Sequence, residues 1–418
     1  MNRFTELKSK LAALKRMISR LALIDPHQAF VLLRHSFAIP KMYHLLRSAP
    51  TYQQKELLKQ YDELIRDSMS EITNVNFTNK AWSQASLPVR FGGLGIRKAL
   101  DIALPCYISS ALRATSLVEA ITSSVTGLAS FEVPAEVEKW KSKGPELIAP
   151  VGEFSFKQRH WDLPLIEQEQ KSLFNKAENQ FARARLLASA QPESGAWANV
   201  IPVPNLGTQL SPEELRIAIA LRIGSKVCEK HRCRCGEYVD EYGFHLLSCR
   251  FSEGRLPRHT AINDIIFRAL KSSATPAILE PTGLNRDNNT RPDGVTIFPF
   301  SRGKALSWDA TCVNTYAECS VNATAGTAGL AAKKAEDDKR KTYFALSRTH
   351  RFEPVAIETS GVFGPTTKVI VSEIGKRISE KSGDARESMW LRQRLSIAIQ
   401  RGNAISILAK TNHMTAFA

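Results

Sequence analysis

The sequence predicts a multi-domain chain of the α plus α/β class: a helical N-terminal region, a small Cys/His knuckle, and a C-terminal domain built on a mixed sheet. Three observations predict it. Apolar residues recur at helical spacing near the N-terminus, four of the seven cysteines crowd between Cys228 and Cys249, and strand-like and helical segments alternate beyond them. A chain of 418 residues has room for two or three domains, and 43% apolar content is ordinary for a packed core.

Leu7, Leu11, Leu14, Ile18 and Leu21 recur at three and four and share one face of a first helix. Lys8, Lys10, Lys15, Arg16 and Arg20 decorate the same helix. Between Met1 and Arg66 twelve Lys/Arg stand against five Asp/Glu, so this is a basic helical unit. Lys15 and Arg16 are its candidate contacts to a phosphate backbone. A second helix is expected near 27–38, ending before Pro40, and a third over about 52–69. The glycine-rich stretch 85–96 is no dinucleotide fingerprint, because no strand precedes it and its glycine spacing is wrong. Helix resumes over about 96–122. Seven prolines between Val133 and Gly207 mark a connector that carries a helix over about 165–190 and holds the expected domain boundary.

A helix follows Ser211, with Pro212 in its first turn, and leads to Gly224 and the cysteines. Beyond them the pattern predicts a helix over 257–271 and strands over 277–280, 294–298 and 305–313. A helix over 328–346, a strand over 354–359 and a helix over 365–381 follow, so a small mixed sheet carries packed helices. The resulting division is 1–132 helical region, 133–210 connector, 211–256 knuckle region and 257–418 sheet domain.

A net charge of +16 and a pI near 9.6 create a positive field that favours polyanions, above all nucleic acid. No run of about 18 apolar residues exists to cross a membrane. The best N-terminal apolar run is broken by Asp25, Pro26 and His27, which excludes a signal peptide. Bunched cysteines in a reducing compartment read as a metal site rather than as a disulfide framework.

The knuckle runs Cys228-Glu-Lys-His-Arg-Cys-Arg-Cys-Gly236, then Gly243, His245 and Cys249. His245 and Cys249 are four apart and project together from a helical turn, while Cys233 and Cys235 flank a tight turn before Gly236. Three thiolates and an imidazole satisfy tetrahedral zinc, and four protein ligands make such a zinc structural. The Cys-x-Cys spacing is shorter than usual, so Cys228 or His231 remains an alternative ligand.

Pro292-Asp293 is followed sixteen residues later by Asp309, within Leu306-Ser-Trp-Asp-Ala-Thr-Cys312. Strand alternation puts Leu306, Trp308, Ala310 and Cys312 on one face and Ser307, Asp309 and Thr311 on the other. Two carboxylates on adjacent strands are hard oxygen ligands for Mg²⁺ or Mn²⁺, the pattern of metal-dependent phosphodiester cleavage. A standard site of this kind has lysine two residues after the second carboxylate, where this chain has Thr311. Lys333, Lys334, Lys339 and Lys341 on the following helix are the nearest replacements. The bland alternative is a turn at Pro292-Asp293-Gly294 and a paired surface carboxylate at Asp309.

From Leu221 to Ser406 the chain resembles the zinc knuckle and restriction-like endonuclease at the C-terminus of site-specific non-LTR retrotransposon polyproteins. The matching elements are the Cys-x-Cys-Gly…Gly-x-His-x3-Cys run over 233–249, Arg258-His259, Arg291-Pro-Asp293, Trp308-Asp-Ala-Thr311, Ala335-Glu336…Lys339…Tyr343, 354–358 and 393–404. Upstream, Pro40-Lys41…Leu46-Arg47 and the 87–95 glycine loop resemble the thumb helices that follow a polymerase palm. The resemblance implies a PD-(D/E)xK restriction-like fold whose nicking of target DNA primes reverse transcription. It implies Asp293 and Asp309 as ligands of a catalytic Mg²⁺ or Mn²⁺, and Lys339 as the catalytic lysine. Arg258, His259 and Lys341 become candidate nucleic-acid contacts, with DNA and the element's RNA as partners and the nucleus as location. The chain departs at Thr342, where the family repeats a lysine, and Lys341 is the candidate compensation. No aromatic-flanked Asp-Asp pair of a palm precedes the thumb-like region, so the chain reads as the C-terminal part of a longer polyprotein or a truncated copy. Two rival readings stay open: a zinc-containing nucleic-acid binding protein that no longer cleaves, and a degenerate element fragment.

Overall fold

Burial of the leucine stripe organises the N-terminal helices. The computed structural model describes residues 3–122, 133–284 and 291–411. Residues 123–132 and 412–418, assigned above to the helical region and the sheet domain, lie outside these. The chain divides into two compact units, Met1–Lys176 and Ala177–Ala418, and the division falls inside the stretch read as a connector.

The first unit comprises α1 (Arg3–Leu21), α2 (Pro26–Leu32), α3 (Tyr43–Ser48), α4 (Lys55–Thr73), α5 (Asn79–Ala85), α6 (Ala99–Thr122), α7 (Pro134–Lys141) and α8 (Gln158–Asn175). On α1, Leu7, Leu14, Ile18 and Leu21 are buried while Lys15 and Arg16 stay exposed. The Asp25 carboxylate accepts from the backbone N–H of His27 (2.9 Å) and caps α2. A longer-range cap comes from Asp62 of α4, which accepts from Ala99 N (2.6 Å) and Leu100 N (3.0 Å) and so anchors α6. The proline-rich segment is folded rather than extended: Trp140 and Trp161 pack edge to face, and Trp140 Nε1 donates to Trp161 O (2.9 Å). The single helix expected over 165–190 is two, because Asn179 accepts from Ala182 N (2.9 Å) and starts a new one.

The second unit begins with that helix, α9 (Gln180–Ser189), followed by α10 (Pro212–Ile223), where Ser211 and Glu214 form a capping box. A two-stranded hairpin, β1 (His231–Arg232) and β2 (Tyr238–Val239), carries the knuckle. Then come α11 (Arg255–Ser272), β3 (Ala277–Leu279), β4 (Gly294–Ser301), β5 (Lys304–Val313), α12 (Glu318–Thr324), α13 (Leu330–Thr342), β6 (Arg351–Glu358), α14 (Pro365–Ser382) and α15 (Glu387–Thr411). The sheet has the order β3-β4-β5-β6, antiparallel except for the parallel β5–β6 pair. A parallel pair needs a crossover, here α12 and α13.

One face of the sheet, through Leu306, Trp308, Ala310, Val355 and Ile357, packs on Ile262, Ile266 and Leu270 of α11, Ile370 and Ile374 of α14, and Leu395 and Ile399 of α15. Across β5 and β6 the crossover helix α13 is held by two buried carboxylates. Glu358 accepts from Ala331 N (3.1 Å) and Ala332 N (3.2 Å) at its start. Glu336, on α13 itself, accepts from Thr366 N and Thr367 N (2.9 Å each) and caps α14.

In the sheet domain, two helices escaped the sequence reading. Helix α12 is short, and α15 carries a buried polar row (Gln393, Ser396, Gln400, Asn403, Ser406) that blurs its apolar periodicity.

Burial pushes the Asp62 carboxyl up to about 7, against the two backbone hydrogen bonds and the Lys98 charge, which lower it. The folded chain therefore holds a proton that an unfolded aspartate, with its pKa of roughly 3.9, releases. Stability from this group is fully present below about 4 and is lost as pH rises towards 7. In urea unfolding, the wild-type chain should gain stability relative to Asp62→Asn as pH falls from neutrality. Parallel pH dependences for the two proteins would contradict this.

Candidate functional site

The β4–β5 register builds the site. Gly294 faces Trp308 across the antiparallel pair, so Asp293 comes beside Asp309. A Cβ at Gly294 would lie 2.1 Å from the Trp308 ring, so the glycine in Pro292-Asp293-Gly294 opens a strand against an indole and does not serve a turn. Trp308 Nε1 donates to Asn263 Oδ1 (3.0 Å), which fixes the ring. The bland reading of Asp309 fails as well, since the residue is 4% exposed.

Asp293 Oδ2 accepts from Ala310 N (2.6 Å) and pairs with His259 Nε2 (3.0 Å). Asp309 Oδ2 meets the Lys339 ammonium from α13, and its Oδ1 accepts from the Tyr343 hydroxyl (3.1 Å), which also reaches Arg291 O (2.9 Å). The structure thus brings Asp293, Asp309 and Lys339 together, and adds His259, Tyr343 and Asn263. Thr311 leaves the strand without a lysine, and the helix supplies one.

Burial would raise Asp293, yet hydrogen bonds from His259, Ala310 N and Asn263 outweigh it and hold the carboxyl below its ordinary range. Asp309 goes the other way: burial raises it, Lys339 only partly offsets this, and the Asp293 charge adds to the rise. The hydrogen bond to Asp293 lifts His259. Two adjacent carboxylates, one of them resisting ionisation, are a donor set that a divalent cation would compensate, and all their oxygens suit a hard ion.

The knuckle forms a second centre. Cys233, Cys235, His245 and Cys249 place one ligand atom each within 4.8 Å of one another. Cys233 Sγ lies 3.6 Å from Cys249 Sγ, and Cys235 Sγ lies 3.1 Å from His245 Nε2. Tetrahedral zinc with Zn–S near 2.3 Å needs edges of roughly 3.8 Å, so the cluster fits one ion with little movement. Cys228 is not among them: its Sγ donates to Asp240 O (3.3 Å) and burial pushes its thiol up to about 12. His231 is turned to Glu229 O (2.8 Å).

One of the proposed nucleic-acid contacts needs correction. Arg258 is 2% exposed, and its guanidinium donates to Asn403 Oδ1 (2.9 Å), Ser406 Oγ (3.1 Å) and Leu247 O. It joins α11 to α15 and to the knuckle, and no phosphate can reach it. His259 is partly exposed but belongs to the carboxylate cluster. Lys341 points to solvent and pairs with Asp338 (3.3 Å), away from the carboxylates that Lys339 meets. Lys15 and Arg16 lie in the other unit and are exposed.

Sequence reasoning quoted Tyr343 without a role and missed Asn263. Tyr343 lies four residues after Lys339, and Asn263 four after His259, so helical spacing was the available signal. Among the described residues no helix is long and apolar enough to cross a membrane. No protein-family model matches the sequence, and neither does any curated protein.

Metal analysis of the reduced, folded chain should give about one zinc per chain. Cys235→Ser or His245→Ala should release it, while Cys106→Ser and Cys228→Ser should retain it. Loss of zinc in Cys228→Ser would redraw the ligand set. Arg258→Ala should lower stability by about 2–4 kcal/mol through unpaired buried partners. If nucleic-acid affinity fell in that variant with stability intact, the structural role would be wrong.

Proposed function

We propose that the chain is a divalent-metal-dependent DNA endonuclease with a restriction-like PD-(D/E)xK domain, whose nicks prime retrotransposon integration. The observation that carries this reading is the convergence of Asp293, Asp309 and Lys339 from β4, β5 and α13. Support for the fold comes from the β3-β4-β5-β6 sheet with its parallel β5–β6 crossover, and from the ordered motif run over 221–406. The zinc knuckle and the net charge of +16 suit a nucleic-acid partner.

Asp293 and Asp309 would hold Mg²⁺ or Mn²⁺, which when bound supplies Lewis-acid polarisation of the phosphate and a more acidic water. His259 and Ala310 N–H orient Asp293; Tyr343 orients Asp309. The Lys339 ammonium, already at Asp309, would place a positive charge beside the phosphoryl oxygens as they become more negative in the pentacoordinate transition state. The rival reading, a binding protein without turnover, rests on Thr342, whose hydroxyl only donates to Asp338 O (3.1 Å).

On supercoiled plasmid with Mg²⁺, Asp293→Asn and Asp309→Asn should each abolish nicking while DNA affinity stays nearly intact. Lys339→Ala should slow turnover by about 10²-fold or more, consistent with loss of one preorganised charge. Lys341→Ala should change little, and Thr342→Lys should raise the rate. Nicking by Asp309→Asn at the parent rate would transfer the assignment to the binding-protein reading.

A further inference from the structure

The turn over 244–248 carries the zinc ligand His245 and runs into another, Cys249. Polar groups flanking both ligands are bound to one side chain of the sheet domain. Asn314, the residue after β5, donates from Nδ2 to Phe244 O (3.1 Å) and to Ser248 Oγ (2.9 Å). The Phe244 ring stacks on Tyr316 with centroids 4.2 Å apart, two residues beyond Asn314. The metal-ordered turn is thus fastened to the end of β5.

The other end of the same amide leads to the catalytic helix. Asn314 Oδ1 accepts from Thr359 Oγ1 (3.0 Å) and from Tyr316 N (3.1 Å). Thr359 follows Glu358 directly, and its N–H donates to Val313 O (2.8 Å). Beside it, Thr315 Oγ1 donates to Ser360 Oγ (2.8 Å), which donates to Glu358 Oε2 (3.4 Å). Glu358 Oε1 accepts from Ala331 N and Ala332 N in the first turn of α13, where the helix itself offers an amide no partner. From there α13 delivers Lys339 to Asp309. The parallel tie from the knuckle, Leu247 O to Arg258, ends on α15 and does not touch α13.

Asn314, Thr315, Glu358 and Thr359 are all buried, so a broken link leaves a polar atom unpaired in the interior. Only an amide donates at one end and accepts at the other with this reach; turned over, it would set Oδ1 against Phe244 O. If the 244–248 turn loses its order, the Asn314 donors lose their partners, and the amide is free to leave Thr359.

We propose that Asn314 is a positioning residue that couples the zinc knuckle to α13, so that an ordered knuckle holds Lys339 against the carboxylates. The effect on turnover rests on the nuclease reading; the coupling of knuckle to helix does not.

Hydrogen exchange of the Ala331 and Ala332 amides in the full chain reads the coupling without cleavage. His245→Ala removes a zinc ligand and Asn314→Ala keeps all four; each should speed this exchange about tenfold. Asn314→Ala should retain about one zinc per chain. Combined, the two substitutions should add little to the larger single effect, because both cut one route. Effects that multiply in the double variant, or amides unmoved by either change, would overturn the coupling. Should Asn314→Ala fail to fold, Thr359→Val removes the linking hydroxyl and should act alike, while Thr359→Ser should restore parent exchange. A serine variant that exchanges as fast as the valine one would equally count against it. On plasmid, zinc-loaded Asn314→Ala should lose about tenfold in kcat with KM unchanged, since Lys339 moves and the DNA-binding surface does not. A raised KM at parent kcat would overturn the positioning of Lys339. If Asp309→Asn nicks at the parent rate, the nuclease reading fails, and the exchange rates alone decide the coupling.

Discussion

The packing of the Trp308 indole across Gly294 sets the register on which the carboxylate site depends. Any side chain at 294 would collide with the ring, so the strands pair in the one alignment that lets the indole lie flat. A slip of one residue would turn Asp309 into the apolar face and Trp308 out of it. The indole N–H is also satisfied, by Asn263, and Asn263 stands one turn from His259. The hydrophobic core and the polar cluster therefore share a fixed point.

A second constraint is a buried polar spine. Arg258 donates to the knuckle carbonyl of Leu247 and to Asn403 and Ser406 of α15. Asn403 reaches Thr359 O (2.7 Å) and Ser396 receives Trp197 N (3.1 Å). Such groups are costly when buried unless every partner is present, so the spine specifies one docking of α15. It also makes the knuckle an integral part of the second unit.

Much of this was legible in the sequence because periodicity and spacing report local geometry directly. The leucine stripe of α1, the capping signature at Ser211-Pro212, the strand carrying Trp308 and Asp309 and the cysteine spacing each stay within one element. What was not legible depends on long-range partners. Asp62 capping a helix thirty-seven residues away leaves no local trace, nor does Arg258 finding α15. The pairing of its neighbour His259 with Asp293, thirty-four residues on, is equally long-range and leaves no local trace. The break between α8 and α9 was written in Asn179, a good cap inside an otherwise helical run.

The caps on α13 have a consequence for its length. Glu358 grips the first turn of α13, and Glu336, one turn before Lys339, grips α14. The helix is thereby indexed at two points, once against β6 and once against α14, like a shaft keyed in two slots. Inserting or deleting one residue between Ala331 and Lys339 would turn the lysine by about 100° around the axis and carry it off Asp309. Lineages of this chain should therefore vary freely in the residues along the outer face of α13 but hardly at all in their number.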